Sequence, residues 1–365
     1  MKTIDRLEWL DVLRFIAVMM VVAFHYTFNG IANGKIDSIN QIDWLIEFTK
    51  YGYLGVELFF MISGYVIFFS AQFGSASKFA VGRIVRLYPA YWFAVLFTSG
   101  FAFIWGGVMM SVTPEMVLAN LTMFQSFMSQ GDVDGVYWTL LYEIKFYAAV
   151  FFVLLIGCQR HLCGIIIFWP VLFVIAILID QQHRTFAGDY FYYFCAGALF
   201  GVLRNRFDWR AVSSLVVTCL LCVSYSSGKA PELTLAKKSH YDEFTIGAII
   251  LAFFLIFLLQ NIKFLENLKI PMSKLLGSIT YPIYLIHAHF GYMLLSHVAT
   301  EDSKLVVYLV ALILVFFISY FINQFIEVRP GVFWRRIMGQ TVGRLVDFIQ
   351  AKLDGLYKRC LYHFS

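Results

Sequence analysis

Charge is what this sequence has least of. Only 14% of its 365 residues are Asp, Glu, Lys or Arg, where a soluble domain carries about 25%. That scarcity excludes a globular domain with an ordinary solvated surface. Cysteine is also sparse. Cys219 and Cys222 lie inside an apolar run with no second CxxC unit, so the six cysteines are read as packing residues and no metal is expected. No internal repeat and no low-complexity linker interrupt the chain. Signal-peptide anatomy is missing as well: Arg14 breaks the apolar region and no small-x-small cleavage site follows Phe28. The N-terminal segment is therefore expected to be retained as the first helix. The net charge of +5 gives no reason to expect nucleic acid. In an apolar chain the position of the basic residues carries more information than their sum.

What remains is apolar and aromatic: 60% hydrophobic residues, with 39 Phe, 21 Tyr and 8 Trp, suited to lipid faces and interfacial belts. A membrane span needs about 20 mainly apolar residues. Ten segments qualify or nearly do: 8–29, 51–71, 88–110, 138–157, 162–180, 189–203, 211–226, 243–260, 275–297 and 304–326. The sixth and seventh are short. The reading is an all-α polytopic membrane protein with about ten transmembrane helices. The stretch 111–137 is expected to be re-entrant or interfacial. Lys and Arg concentrate at the N-terminus, Lys78–Arg86, Arg204–Arg210, Lys263–Lys274 and the region after Glu327, which puts both termini on the cytoplasmic side. Residues 1–330 are expected to form one membrane domain. Residues 331–365 form a basic tail whose Val342, Leu345, Val346, Phe348, Ile349, Leu353 and Leu356 recur at helical spacing, as in an amphipathic helix on the inner surface.

Against that background four polar groupings stand out. In LDVLRFIAVMMVVAFHY, Arg14 and His25 are eleven residues apart. They fall within about 20° of one face and ~16 Å apart along the axis. Asp11 is three residues before Arg14, a spacing for an ion pair. In SKFAVGRIVRLYPAY, Arg83 and Arg86 are paired guanidiniums. They suit phosphate oxygens or, equally, ordinary positive-inside charge. In VYWTLLYEIKFY, Glu143 and Lys145 fall within a span, and Glu143 shares a face with Thr139 and Tyr147. A carboxylate there needs a partner, and it is a functional candidate or half of an interhelical ion pair. In GSITYPIYLIHAHF, Tyr281, Tyr284 and His287 recur every three residues and His289 lies off that face. His287 is open to three readings: acid–base group, substrate ligand, or helix–helix hydrogen bond.

These stretches, with GVELFFMISGY at 55–65, resemble the membrane acyltransferase 3 family over residues 10–287. The resemblance implies transfer of an acyl group, most often acetyl, from a cytoplasmic coenzyme A thioester. The acceptor would be a hydroxyl of a cell-surface or lipid-linked glycan, such as lipopolysaccharide O-antigen or exopolysaccharide, at the bacterial inner membrane. It maps functional positions onto Arg14, His25, Arg83, Arg86 and Glu143, and less directly onto Tyr281 and His287. Thr139 and Thr280 replace a Ser often found in the motifs, and Glu327 lies one residue further from Pro330 than the family pattern, so Glu327 carries little weight here. Many relatives carry a second, hydrolase-like domain, which is not expected in this chain.

The resulting expectation is specific. Arg83, Arg86 and Arg14 would hold the phosphates of acetyl-CoA, and the pantetheine arm would run along helix one to His25. His25 would be the general base, or less readily an acylated nucleophile, with Glu143 orienting it. Tyr281 or His287 would donate to the oxyanion. The competing reading is a transporter or flippase of a lipid-linked glycan, although no corresponding interruptions in two halves of the chain support it.

Overall fold

The computed structural model describes residues 7–72, 74–259 and 268–363. Lys2, Arg6 and Lys263, three of the basic residues behind the expected orientation, lie outside them, as does the last residue of the 243–260 segment. Among the described residues the chain is all helix and turn. Every one of the ten apolar segments lies on a helix. These are α1 (Glu8–Phe24), α2 (Gly55–Gln72), α3 (Ala76–Trp105), α4 (Trp138–Leu155), α5 (Leu162–Leu178), α6 (Phe191–Asn205), α7 (Trp209–Ser227), α8 (Glu243–Leu258), α9 (Ser273–Val298) and α10 (Lys304–Phe321). Two further helices follow, α11 (Gly331–Met338) and α12 (Arg344–His363).

Among the described residues, seven helical stretches are long and apolar enough to cross a membrane: 8–32, 43–72, 76–105, 138–155, 158–178, 209–237 and 304–328. Seven of the ten expected segments coincide with these stretches. The other three depart for different reasons. Helix α6, with 15 residues, reaches only about 22 Å. Helix α8 has 16. Helix α9 is long, at 26 residues, but polar.

That polarity is tolerated because α9 is wrapped by protein, packing against α1, α3 and α10. Its residues from Ile279 to Leu295 are buried with the exception of Tyr281, which is partly so. Helix α5 is the opposite case. Ile165, Phe168, Val171, Leu172, Ile175 and Leu178 are exposed large apolar side chains, which only a lipid solvent accommodates in such a row. Helices α2 and α6 pack at backbone contact. A Cβ on Gly64 would sit 2.0 Å from the Phe194 carbonyl oxygen, and one on Gly197 would sit 1.8 Å from that of Met61. Small residues at such crossings let van der Waals packing replace the missing hydrophobic drive.

Helix α3 starts earlier than the apolar segment predicts. Ser75 caps it, accepting from the Lys78 amide, and it runs 30 residues through Pro89, about 45 Å. Arg83 and Arg86 thus sit inside the helix, ahead of its apolar segment. The 111–137 stretch holds a short helix, Pro114–Asn120, and a 3-10 turn, Gln125–Met128. It is tied to α3 by Tyr88 Oη and Trp92 Nε1, which donate to the carbonyls of Thr122 and Leu121 at 3.0 and 2.9 Å. Buried Asn120 closes the stretch by bonding Gly131 and Val133. Helices α11 and α12 dock on α3, where Ser77 Oγ donates to the Gly343 carbonyl. Leu345, Phe348, Leu353 and Leu356 of α12 remain exposed, the apolar face read from the sequence.

Candidate functional site: an arginine-lined cavity and a histidine pair

Helices α1, α2, α3, α4 and α9, with the π-helical turn Ile322–Val328 after α10 and the start of α11, line a cavity of about 760 Å³. This lies in the range of about 300–1,000 Å³ typical of small-molecule sites. It gathers Arg14, Arg83, Arg86, Glu143 and Tyr281 from four separate stretches of sequence. Arg335 and Glu327 join them. Four arginines thus face three carboxylates, those of Asp11, Glu143 and Glu327. Gly331, Val332 and Arg335 line the same wall, so the cavity draws on both sides of the boundary at residue 330.

Each arginine is held differently. Arg14 pairs with Asp11 at 3.1 Å, and Asp11 fits because α9 presents Gly277 to it: a Cβ there would meet its carboxylate at 2.5 Å. Arg86 donates to Glu327 at 3.1 Å and stacks over the Tyr281 ring at 5.4 Å. Arg83 lies over the rings of Phe79 and Tyr147 at 5.8 and 5.7 Å. Its Nε is buried and has no hydrogen-bond partner among the described residues. A buried donor without an acceptor costs about 1–3 kcal/mol, a cost that an anionic ligand in the cavity would remove.

The low weight given to Glu327 is corrected. It accepts from Arg86 and from Asn323 Nδ2 at 2.9 Å, in a π-helical turn at Ile322–Val328. The extra residue before Pro330 is what such a turn absorbs. Glu143 is also placed differently from expectation. It accepts from Ser63 Oγ at 3.2 Å and from the Tyr147 hydroxyl, on the cavity wall. Among the described residues its hydrogen-bond partners do not include His25, whose imidazole is held by Val21 and His287.

The cavity lining climbs α9 as far as Tyr284 and α4 as far as Thr139. There the Tyr284 hydroxyl and Thr139 Oγ1 meet at 2.7 Å. One helical turn further lies a histidine pair, with His287 Nε2 3.3 Å from His25 Nδ1 and the ring centroids 4.9 Å apart. The pair sits where α1 gives way to a π-helical turn, His25–Asn29, a local widening common at functional sites.

The surroundings fix both tautomers. His287 Nδ1 faces the carbonyls of Tyr284 and Ile283 at 2.8 and 3.1 Å. Carbonyls only accept, so the His287 proton is on Nδ1 and Nε2 presents a lone pair. His25 Nδ1 faces that lone pair and the Val21 carbonyl at 2.8 Å. Two acceptors require His25 Nδ1 to be the donor, which leaves His25 Nε2 as an unprotonated base. His287 is fully buried, while His25 is partly exposed. The expectation that His287 donates to an oxyanion is corrected on this ground: its one N–H is directed to main-chain carbonyls. The Tyr281 hydroxyl is likewise engaged, donating to Leu87 O at 3.2 Å. The long-range meeting of His25 with His287, and the role of Arg335, had no signal in local spacing.

Fold and site together define a multi-pass helical membrane protein with an arginine-lined cavity below a pair of imidazoles. A family model described as an acyltransferase domain matches residues 7–324, and the chain belongs to this acyltransferase 3 family. Two relatives are similar along most of their length. One is named a membrane-bound transacylase, BcsY, from Komagataeibacter xylinus, 26% identical over 306 residues, covering 78% of this chain and 72% of that protein. The other is the exopolysaccharide production protein ExoZ of Rhizobium meliloti (strain 1021), 28% identical over 251 residues, covering 65% of this chain and 75% of that protein. No solved structure matches. The chain is therefore a membrane acyltransferase, and the reading as a transporter without transfer chemistry falls away.

Proposed function

We propose that the protein transfers acetyl from cytoplasmic acetyl-CoA to a hydroxyl of a cell-surface or lipid-linked glycan. The names of its two relatives, one a transacylase and one an exopolysaccharide production protein, support the acceptor class. The observation that carries the reading is the oriented His25 imidazole one helical turn beyond an arginine-lined cavity. The donor set fits coenzyme A, an anionic ligand with a long neutral arm: Arg83, Arg86, Arg14 and Arg335 line the cavity that its phosphates would enter. The thioester supplies the activated acyl carbon.

The protein's own groups do the remaining work. His25 Nε2 takes the proton from the acceptor hydroxyl as its oxygen attacks the acyl carbon; the C–S bond then breaks, and His25 returns the proton to the departing thiolate, so coenzyme A leaves as the free thiol. His287 Nε2 accepts from His25 Nδ1–H and keeps the imidazole in that tautomer as it becomes positively charged. Glu143, held by Ser63 and Tyr147, adds a negative charge along the route. Tyr284, hydrogen-bonded to Thr139 between cavity and histidines, must turn aside for the thioester to reach the base. The protein would act in the inner membrane of a bacterium with its arginine end toward the cytoplasm, in contact with membrane lipid and glycan.

The test compares glycans from a strain with the gene deleted and from the parent by mass spectrometry. Loss of one acetyl mass per modified sugar, with the glycan still exported, is the expected result. An unchanged glycan, or a glycan that is no longer exported, would overturn the proposal.

A further inference from the structure

Beyond the histidine pair runs a chain of polar and ring contacts that the acyl transfer itself does not use. Lys35 Nζ lies 2.7 Å from His289 Nε2. His289 Nδ1 faces the Val133 carbonyl at 2.9 Å, so its proton is there and Nε2 accepts from the ammonium and from the Gly135 amide at 3.3 Å. The His289 and Tyr292 rings are 6.0 Å apart. Asn29 Nδ2 donates to the Tyr292 hydroxyl at 3.0 Å, and Lys237 Nζ donates to Asn29 Oδ1 at 2.6 Å. The chain thus joins the loop after α1, helix α9, the π turn of α1, and the short helix Ala230–Lys237. At its middle the Tyr292 ring is 5.9 Å from the His25 ring.

Two partly buried ammonium groups therefore stand at the two ends of this chain, whose middle meets the proposed base, and each is met by a neutral acceptor. Neither forms an ion pair among the described residues. Asp134 lies close enough to Lys35 to interact with it electrostatically. Its oxygens, though, take the amides of Val136 and His289 at 3.2 and 2.9 Å. An ammonium that has lost hydration without gaining a direct counter-charge is unfavourable. Two of them beside one reaction centre form a complement to an anion.

We propose that Lys35 and Lys237 form an acceptor subsite for an anionic group, a carboxylate or phosphate carried by the glycan or its carrier next to the hydroxyl that is acylated. The proposal rests on the acyl-transfer reading for the reaction, but the subsite can be measured without turnover.

The test uses the full chain in nanodiscs of neutral phosphatidylcholine, with coenzyme A saturating so that the arginine cavity is filled. Glucuronate, glucose 1-phosphate and glucose are titrated by calorimetry. At least one charged sugar should bind about tenfold more tightly than glucose, with the carboxylate and phosphate arms identifying the source of the charge. Lys35→Gln and Lys237→Gln should each weaken that binding about tenfold, while Lys35→Arg and Lys237→Arg retain it. Lysine-dependent binding in a protein that transfers no acetyl would support the subsite and overturn the acyl-transfer reading alone. Equal binding of glucose and both charged sugars, unchanged affinity in both Gln variants, or equal loss in the Arg variants would each overturn the subsite.

Discussion

The two ends of this site are built on opposite electrostatic plans. At the arginine end, guanidiniums face carboxylates across an open cavity: Arg14 meets Asp11, Arg86 meets Glu327, and Arg83 keeps a buried Nε without a partner. At the histidine end, His25 and His287 hold each other through one shared contact and main-chain carbonyls, with His287 fully buried. Charges in an open cavity bind and release a charged ligand. Neutral groups locked in one tautomer are pre-organised for proton transfer. The difference separates affinity from turnover, and substitutions at the two ends should separate them too.

The largest expected effect is at His25. His25→Ala should lower turnover by about 10²–10⁴-fold, the usual worth of a positioned base, with coenzyme A affinity unchanged. Single-turnover acetyl transfer by correctly inserted protein measures it, and near-wild-type turnover would remove the base from the scheme. His287 comes next. His287→Leu should lower turnover about ten- to hundredfold by releasing the His25 tautomer, without changing KM. His287→Gln, whose amide oxygen can accept in place of Nε2, should recover part of the loss. Nitrogen-15 shifts of the His25 ring give an independent reading: the Nδ1–H signature should weaken in His287→Leu and persist in His287→Gln. Equal turnover in both variants would mean that His287 only fills space.

Much of this arrangement was legible in the sequence, for physical reasons that also explain what was not. Apolar runs near the thickness of a bilayer announce helices whatever their neighbours, so all ten segments fall on helix. The axial spacing of Arg14 and His25 follows from helix geometry alone. The start of α3 was not legible, because the apolar run begins at 88 while the helix begins at Ala76, in a stretch where Lys78, Arg83 and Arg86 interrupt the apolar pattern. Glu327 was discounted because local motif spacing does not reveal a π turn that absorbs one residue. Helix α9 was legible as a segment, but not as the buried centre. Its polar residues are tolerated through packing with α1, α3 and α10, and composition does not encode neighbours. The pairing of His25 with His287, 262 residues apart, is invisible for the same reason.

At the arginine end the effects should be smaller and should appear in affinity. Arg83→Ala and Arg86→Ala should each weaken coenzyme A binding about tenfold, the worth of one charge-assisted contact in a partly open site, while turnover at saturating donor stays near wild type. Binding should also weaken as salt rises, since exposed guanidiniums are screened. Affinity unchanged in both variants would reduce the arginines to setting orientation in the membrane.

The smallest effect sharpens the contrast most. Glu327→Gln removes the carboxylate partner of Arg86 without removing its volume. The Arg86 side chain is 40% exposed, so the lost pair should cost no more than about 1 kcal/mol of stability. Arg86 would then face the cavity without a competing anion, and coenzyme A should bind two- to threefold more tightly, by roughly 0.5 kcal/mol. Isothermal titration resolves that difference. A weaker complex would show instead that Glu327 positions Arg86 for the phosphates, which makes the ion pair part of the donor site and not its competitor. The same substitution has no route to the histidines, so a fall in turnover at saturating donor would contradict the separation of the two ends.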